Sequence, residues 1–271
     1  MELSCLPVSI FQEIIDGNIT MREWAAQGKS MGLDAVDLSI LFFPNHTPSY
    51  LEKTAAIFRE EGIGIAMITT YPNFTIPDET QREREFDYCV RDIALASQLG
   101  ARYLRITAGQ RYENTKIEDV AKSVADYFLR CEEKADQYGV KLVYENHGRP
   151  GAWNDFDFTY DPEAFLALSR FLAGSNVRVN FDTANTVAFG VDPLPVFEEI
   201  FPQLETIHVA DTISYGTFKH VEIGSGAAPI DEIFQLAKVK GFDGLVAIEE
   251  GSGKGLQGIR EAVHTVRRMW G

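Results

Sequence analysis

Basic residues are in short supply: 25 lysines and arginines stand against 40 aspartates and glutamates in 271 residues, a formal net charge of −15. That sign excludes nucleic acid and anionic membranes as main partners, because both reward a basic surface. Cysteine is scarce too. Cys5, Cys89 and Cys131 are scattered, odd in number and free of a Cys-x-x-Cys spacing, which excludes a disulfide framework and points to a reducing compartment. No apolar run reaches the roughly 18 residues of a membrane helix. The opening MELSCLPVSIFQEIIDG lacks a basic n-region and meets Glu13 and Asp16 early, a poor match to a secretory signal. The expected location is the cytoplasm. Two further absences bear on architecture. No Gly-x-Gly-x-x-Gly follows the first strand-like run, which argues against a doubly wound dinucleotide fold. No linker, low-complexity stretch or charge block divides the chain.

What is present is a regular alternation. The composition is 45% hydrophobic, enough for a large core. Strand-like runs occur at 2–6, 33–40, 63–70, 101–108, 140–147, 177–182, 204–210 and 244–250. Helical segments lie between them. Thr20 with Glu23 forms a capping box, and Thr47-Pro48 and Asp161-Pro162 are N-cap and first-turn proline pairs. Gly32, Gly62, Gly100, Gly139 and Gly241 stand where helices should stop. Eight strands and eight helices at about 34 residues per unit predict one (βα)8 TIM barrel over residues 1–271.

Chemistry in such barrels sits at the carboxyl ends of the strands. The fifth run, KLVYENHG, ends in Glu145 and His147, which alternation places on one face with Asn146 on the other. The sixth ends in Asp182, the seventh carries His208, and the eighth ends in Glu249 and Glu250. Ala247, small enough for a crowded interior, favours Glu249 as the inward residue. Four strand ends thus bring Glu145, Asp182, His208 and Glu249 to one rim. Three carboxylates together repel unless a cation intervenes. Three oxygen donors and one imidazole suit one divalent cation, Mn²⁺ first, with Mg²⁺ or Co²⁺ as alternatives and Zn²⁺ a poorer match.

The stretches LVYENHG, VNFDTAN, ETIHVADT, HVEIGSGAAPID and GFDGLVAIEE resemble the sugar isomerase/epimerase superfamily with a xylose-isomerase-like barrel. That superfamily includes ketose 3-epimerases, hydroxypyruvate isomerase, inosose dehydratase and C-glycoside deglycosidases. The resemblance covers essentially the whole chain and implies a metal set of Glu145, Asp182, His208 and Glu249. It places His220 or Lys219 near substrate oxygens. Asn185 replaces the histidine common after strand six, at a substrate-binding position. The sequence after the strand-five glutamate, Asn146-His147-Gly148-Arg149-Pro150, also departs from the ketose epimerases.

The implied activity is isomerisation or epimerisation of a sugar. Glu145 and Glu249 would move a proton beside a carbonyl through a metal-stabilised enediolate. His147 is a further group able to move a proton near neutrality, or a structural hydrogen bonder. It favours the alternative reading, a metal-dependent lyase on keto-sugars or glycosides: a dehydratase or a 3-keto-glycoside deglycosidase. A sugar-binding barrel without turnover is disfavoured because both glutamates are present. Abasic-site endonucleases share the barrel but need a histidine-rich zinc cluster, and five histidines on an acidic chain argue against one. The expected partner is a small sugar, keto-sugar or glycoside, and the expected assembly is a homo-oligomer, with a second subunit as an alternative. His46 reads as structural or pocket-lining and His264 as surface. Arg105 and Arg111 read as surface ion pairs rather than anion ligands. The aromatic loops at 71–74 and 152–160 read as packing, a sugar cap or a subunit contact.

Overall fold

Helix ends test the sequence signals atom by atom in the computed structural model, which describes residues 1–271 except 114 and 152. The capping box is complete: the Glu23 amide donates to the Thr20 hydroxyl, and the Thr20 amide donates to the Glu23 carboxylate at 2.8 Å. Asp161 caps through its side chain, accepting from the Glu163 amide at 2.9 Å. Thr47 does not. Its hydroxyl makes no capping bond, and Pro48 at the first helical position supplies the only start signal there. Gly62, Gly100 and Gly139 terminate their helices in the left-handed conformation.

The barrel strands are β1 (Glu2–Leu6), β2 (Ala35–Ser39), β3 (Gly64–Thr69), β4 (Tyr103–Ile106), β5 (Lys141–Glu145), β6 (Arg178–Asp182) and β7 (Leu204–Val209). A short antiparallel hairpin follows, β8 (Thr212–Ser214) and β9 (Thr217–His220), before the last barrel strand, β10 (Leu245–Glu249). All eight barrel strands are parallel, in the order β1-β10-β7-β6-β5-β4-β3-β2. The seam between β1 and β2 is closed by Asp34. Its amide donates to Leu3 O and its carboxylate accepts from the Leu3 amide, both at 2.9 Å. Above that seam the Ser4 hydroxyl donates to buried Asp37 at 2.7 Å.

The surrounding helices are α1 (Phe11–Ile15), α2 (Met21–Ser30), α3 (Pro48–Glu61), α4 (Glu79–Leu99), α5 (Ile117–Tyr138), α6 (Pro162–Phe171), α7 (Asn185–Phe189), α8 (Pro193–Ile200), α9 (Ile230–Val239) and α10 (Gly255–Trp270). Ten helices therefore occur among the described residues where eight were expected. The two extra ones, α1 and α7, are five residues long, too short to leave a periodic pattern. The hairpin was also unforeseen. Several strands are shorter than their apolar runs because the residues beyond them bond elsewhere. Asn146, for example, leaves β5 to pair with the Asp182 backbone across to β6.

Two apolar layers hold this together. Trp24, Phe58, Phe128, Phe165, Phe181, Phe197 and Phe234 fill the space between strands and helices, all fully buried. Burial of each such ring contributes on the order of 1.5–3 kcal/mol. Inside the barrel, Ala35, Ala66, Met67, Tyr103, Val143, Leu245 and Ala247 form a separate plug. The plug closes the lower interior, so the polar side chains one step further along the strands occupy only the carboxyl-end mouth. Among the described residues no helix is long and apolar enough to cross a membrane.

Candidate functional site

Strand alternation aims the key side chains. Val143 belongs to the plug, so Glu145 points inward, and Leu245 and Ala247 do the same for Glu249. Glu250 faces outward: its Oε1 accepts from the Ser252 amide at 3.0 Å and lies 2.9 Å from where a Cβ on Gly258 of α10 would be. Glu145, Asp182, His208 and Glu249 each offer one ligand atom, and these atoms lie within 4.8 Å of one another. His208 Nδ1 is 3.3 Å from Glu145 Oε1 and 3.1 Å from Glu249 Oε2. Asp182 is oriented by its own chain, Oδ1 accepting from the Ala184 and Asn185 amides at 2.8 and 2.7 Å.

Three buried atoms of this set have no hydrogen-bond partner: Glu145 Oε2, Asp182 Oδ2 and His208 Nε2. A buried polar atom left so costs about 1–3 kcal/mol. Three carboxylates and an imidazole with orphaned donor atoms are the chemistry a divalent cation satisfies, so the residues present fit such an ion.

Charge coupling is strong. Burial pushes the Glu145 carboxyl up, but the His208 and Arg105 charges outweigh it and bring it down to about 2. Burial also raises Asp182, and the Glu145 and Glu249 charges raise it further, so it holds a proton well above the ordinary carboxylate range. His208 resists burial's downward push because Glu145 and Glu249 flank it, which raises it well above the usual imidazole value. Glu249, despite burial, is lowered by its His208 hydrogen bond. Protons thus neutralise part of the cluster's negative charge.

Arg105 is the main correction. It is no surface ion pair: the guanidinium is 1% exposed, with Nε 3.2 Å from Glu145 Oε2 and the Tyr71 ring 4.9 Å away. Its position follows from Tyr103, a plug residue two places earlier on β4. That alternation was available in the sequence. Arg111 does make an exposed pair, 3.4 Å from Asp155.

His147 lies just past β5, largely buried, with Nδ1 3.7 Å from Asp157 Oδ2 and its ring 6.2 Å from Tyr71. Asp157, which sequence reasoning passed over, is held by the Thr159 amide and hydroxyl, both at 2.8 Å. Its signal was the short Asp-Phe-Thr turn within an aromatic-rich loop. Asn185 is buried at the start of α7, and its amide holds Asp182. His220 packs against the backbone of Gly251, beyond Glu249, and its buried Nδ1 has no partner. Lys219 is exposed, and alternation turns it to the hairpin face opposite Phe218 and His220.

The loop spanning 152–160, whose first residue lies outside the described residues, contributes an aromatic wall. Phe156 stacks on Tyr160 at 4.3 Å, and Phe218 meets their rings edge-on at 5.3 and 5.9 Å. Gly148 permits this closeness, since a Cβ there would come within 2.4 Å of the Phe218 ring. In the loop at 71–74, Phe74 is buried against Tyr127, while Tyr71 faces Arg105. His46 lines a groove of about 370 Å³ with Tyr71 and Asp92. His264 is exposed. The glycine-bearing stretch after the hairpin wraps its own carboxylate: the Gly224 and Gly226 amides donate to Asp211 Oδ2 at 2.9 and 2.8 Å.

A closed parallel barrel with a polar cluster at its carboxyl-end mouth is the TIM-barrel enzyme architecture. This chain belongs to the xylose isomerase-like TIM barrel family, whose model matches residues 25–269. It is 20% identical to the L-ribulose-5-phosphate 3-epimerase UlaE of Escherichia coli over 258 residues, 90% of this chain and 87% of that protein. Its fold matches the probable 3-DHS dehydratase AsbF from Bacillus anthracis with a TM-score of 0.78 at 16% identity, covering 98% and 99% of the two chains. It matches zinc-bound IolI with a TM-score of 0.78 at 18% identity, covering 99% and 96%. The chain spans 58% to 59% of the length of the first curated relatives it matches.

Proposed function

We propose that this chain is a divalent-metal-dependent sugar isomerase or epimerase that moves a proton next to a carbonyl. The observation that carries this reading is the set Glu145, Asp182, His208 and Glu249, which offer one ligand atom each within 4.8 Å of one another, together with unpartnered buried atoms on Glu145, Asp182 and His208. Mn²⁺ suits this donor set best, with Mg²⁺ or Co²⁺ as alternatives. A cation bound there would supply Lewis acidity to a carbonyl and neighbouring hydroxyl and stabilise the enediolate charge.

The protein's own groups would do the rest. The Glu249 side chain is 17% exposed where Glu145 and His208 are fully buried, so it is the carboxylate best placed to take a proton from a substrate at the mouth. Glu145 sits between His208 and Arg105 and would return a proton from the opposite side. The aromatic wall of Phe156, Tyr160 and Phe218 would exclude water and pack on the apolar face of a sugar ring.

A second reading is a lyase, a dehydratase or deglycosidase sharing the same first step. The position of His147 favours it: its Nδ1 lies 3.7 Å from Asp157 Oδ2, with neither atom hydrogen-bonded, and an imidazole beside a buried carboxylate would be a proton-moving group in addition to the two glutamates. The structural likeness to a dehydratase is compatible with either outcome. The test is to load the protein with Mn²⁺ and incubate it with keto-sugars and glycosides in D₂O. Deuterium entering the substrate at the carbon beside the carbonyl is expected. Failure to bind metal, or metal binding without exchange on any substrate, would overturn the proposal.

A further inference from the structure

Arg105 is more than Glu145 needs. One contact at 3.2 Å engages its Nε side, yet Nε and Nη1 are buried without any hydrogen-bond partner. A guanidinium carries five N–H donors in a fixed planar fork. Burying such a group with its donors unmet is costly, and the usual resolution is a bidentate oxyanion. Arg105 is the only lysine or arginine in the buried set among the described residues. Its surroundings offer it no second carboxylate at bonding distance. Tyr71 covers one face of the guanidinium at 4.9 Å, and the Tyr71 hydroxyl is tied to Ser39 and Thr69 at 3.4 and 3.3 Å. The fork is therefore held by Tyr71 on one face while its Nε and Nη1 donors stay unpaired.

We infer that Arg105 receives a carboxylate of the substrate, so that the sugar this site takes is a sugar acid. The inference rests on the reading above, which places the substrate beside Glu145. Local charge permits it: three carboxylates in the ligand set, one divalent cation and Arg105 sum to −3 + 2 + 1 = 0, so an incoming anion meets no net repulsion from them. A carboxylate fits better than a phosphate. A tetrahedral phosphate recruits several cations, a helix start or a glycine-rich backbone cradle. Here Lys219 points away, and the amides of Gly224 and Gly226 are already bound to Asp211.

Calorimetry on Mn²⁺-loaded and metal-free protein tests this with matched ligands: glucuronate against glucose, galacturonate against galactose, and fructose 6-phosphate against fructose. Each uronate should bind about ten- to a hundredfold more tightly than its neutral partner, the range of a charged hydrogen-bonded pair. Arg105→Gln should abolish that preference, and Arg105→Lys, which keeps the charge but loses the fork, should retain only part of it. Equal binding of acids and neutral sugars by the unmodified protein overturns the inference without requiring any variant to fold. A preference confined to the phosphate ester overturns it as well. Failure of Mn²⁺ to bind would count against the metal reading alone, because the ligand pairs are also compared on metal-free protein.

Discussion

Two residues along the same strands separate an apolar plug from a charged site. Ala35 and Asp37, Tyr103 and Arg105, Val143 and Glu145, and Ala247 and Glu249 are paired this way: the first of each pair lies in the plug, the second above it. The step is about 7 Å, and it keeps the same inward face. Below it, most side chains gain by excluding water, and polar groups among them pair, the Tyr103 hydroxyl donating to Glu205 at 3.0 Å and the Thr206 hydroxyl to Asn180 at 2.7 Å. Above it, every group is held by a neighbour or left with an orphaned atom. The lower layer makes the barrel stable, and the upper layer is tolerated only because the lower one closes the interior beneath it.

The comparison breaks most visibly at the ligand set. His208→Ala or Asp182→Ala should remove bound Mn²⁺ by elemental analysis and lower turnover by at least about 10³-fold, as loss of several kcal/mol of charge stabilisation requires. Both proteins should keep their far-UV circular dichroism. His147→Ala sharpens the functional choice. A loss of about 10²–10⁴-fold in kcat with metal content unchanged is expected of an acid or base, whereas a loss below tenfold would return the balance to a two-glutamate isomerase.

In the lower layer, Leu245→Ala should cost about 2–5 kcal/mol of unfolding free energy in denaturant titration and leave metal stoichiometry unaltered. A loss of metal there would show that the layers are not independent. Proton competition gives a smaller effect. Asp182 and His208 both bind protons more tightly than usual in the folded protein, so metal binding must displace them. Mn²⁺ affinity should fall about tenfold per pH unit for each proton displaced as pH is lowered, read by calorimetry.

The smallest effect concerns Asp37, which sits on the boundary. Burial raises its carboxyl from 3.8 to about 6. The folded state then holds a proton that the unfolded chain has lost, so stability should decline as pH rises through that window. Asp37→Asn should flatten the decline and raise the melting temperature at pH 7 by a few degrees.

Barrel, strand number and the gathering of four side chains at one mouth were legible in the sequence because each depends on local rules. Capping signals, helix-stopping glycines and alternation act over a few residues, and the carboxyl-end rule then gathers Glu145, Asp182, His208 and Glu249. Even the choice of Glu249 over Glu250 follows from Ala247 on the same face. What alternation could not supply was who meets whom across the mouth. Arg105 looks like any charged residue near a strand end. Only the closed barrel sets it beside Glu145, with Tyr71 from the next loop over its face. Asp157 reaches His147 because a ten-residue excursion folds back on Thr159, and the hairpin places Phe218 over Gly148. These contacts span 10 to 70 residues of sequence, and no short-range pattern specifies them. The sequence by itself determined the architecture and the inward direction of Glu145, Asp182, His208 and Glu249, since both are set by period and local backbone preference. The partners of those side chains were decided only by the tertiary structure, because closing the ring fixes distances between strands that share no local signal.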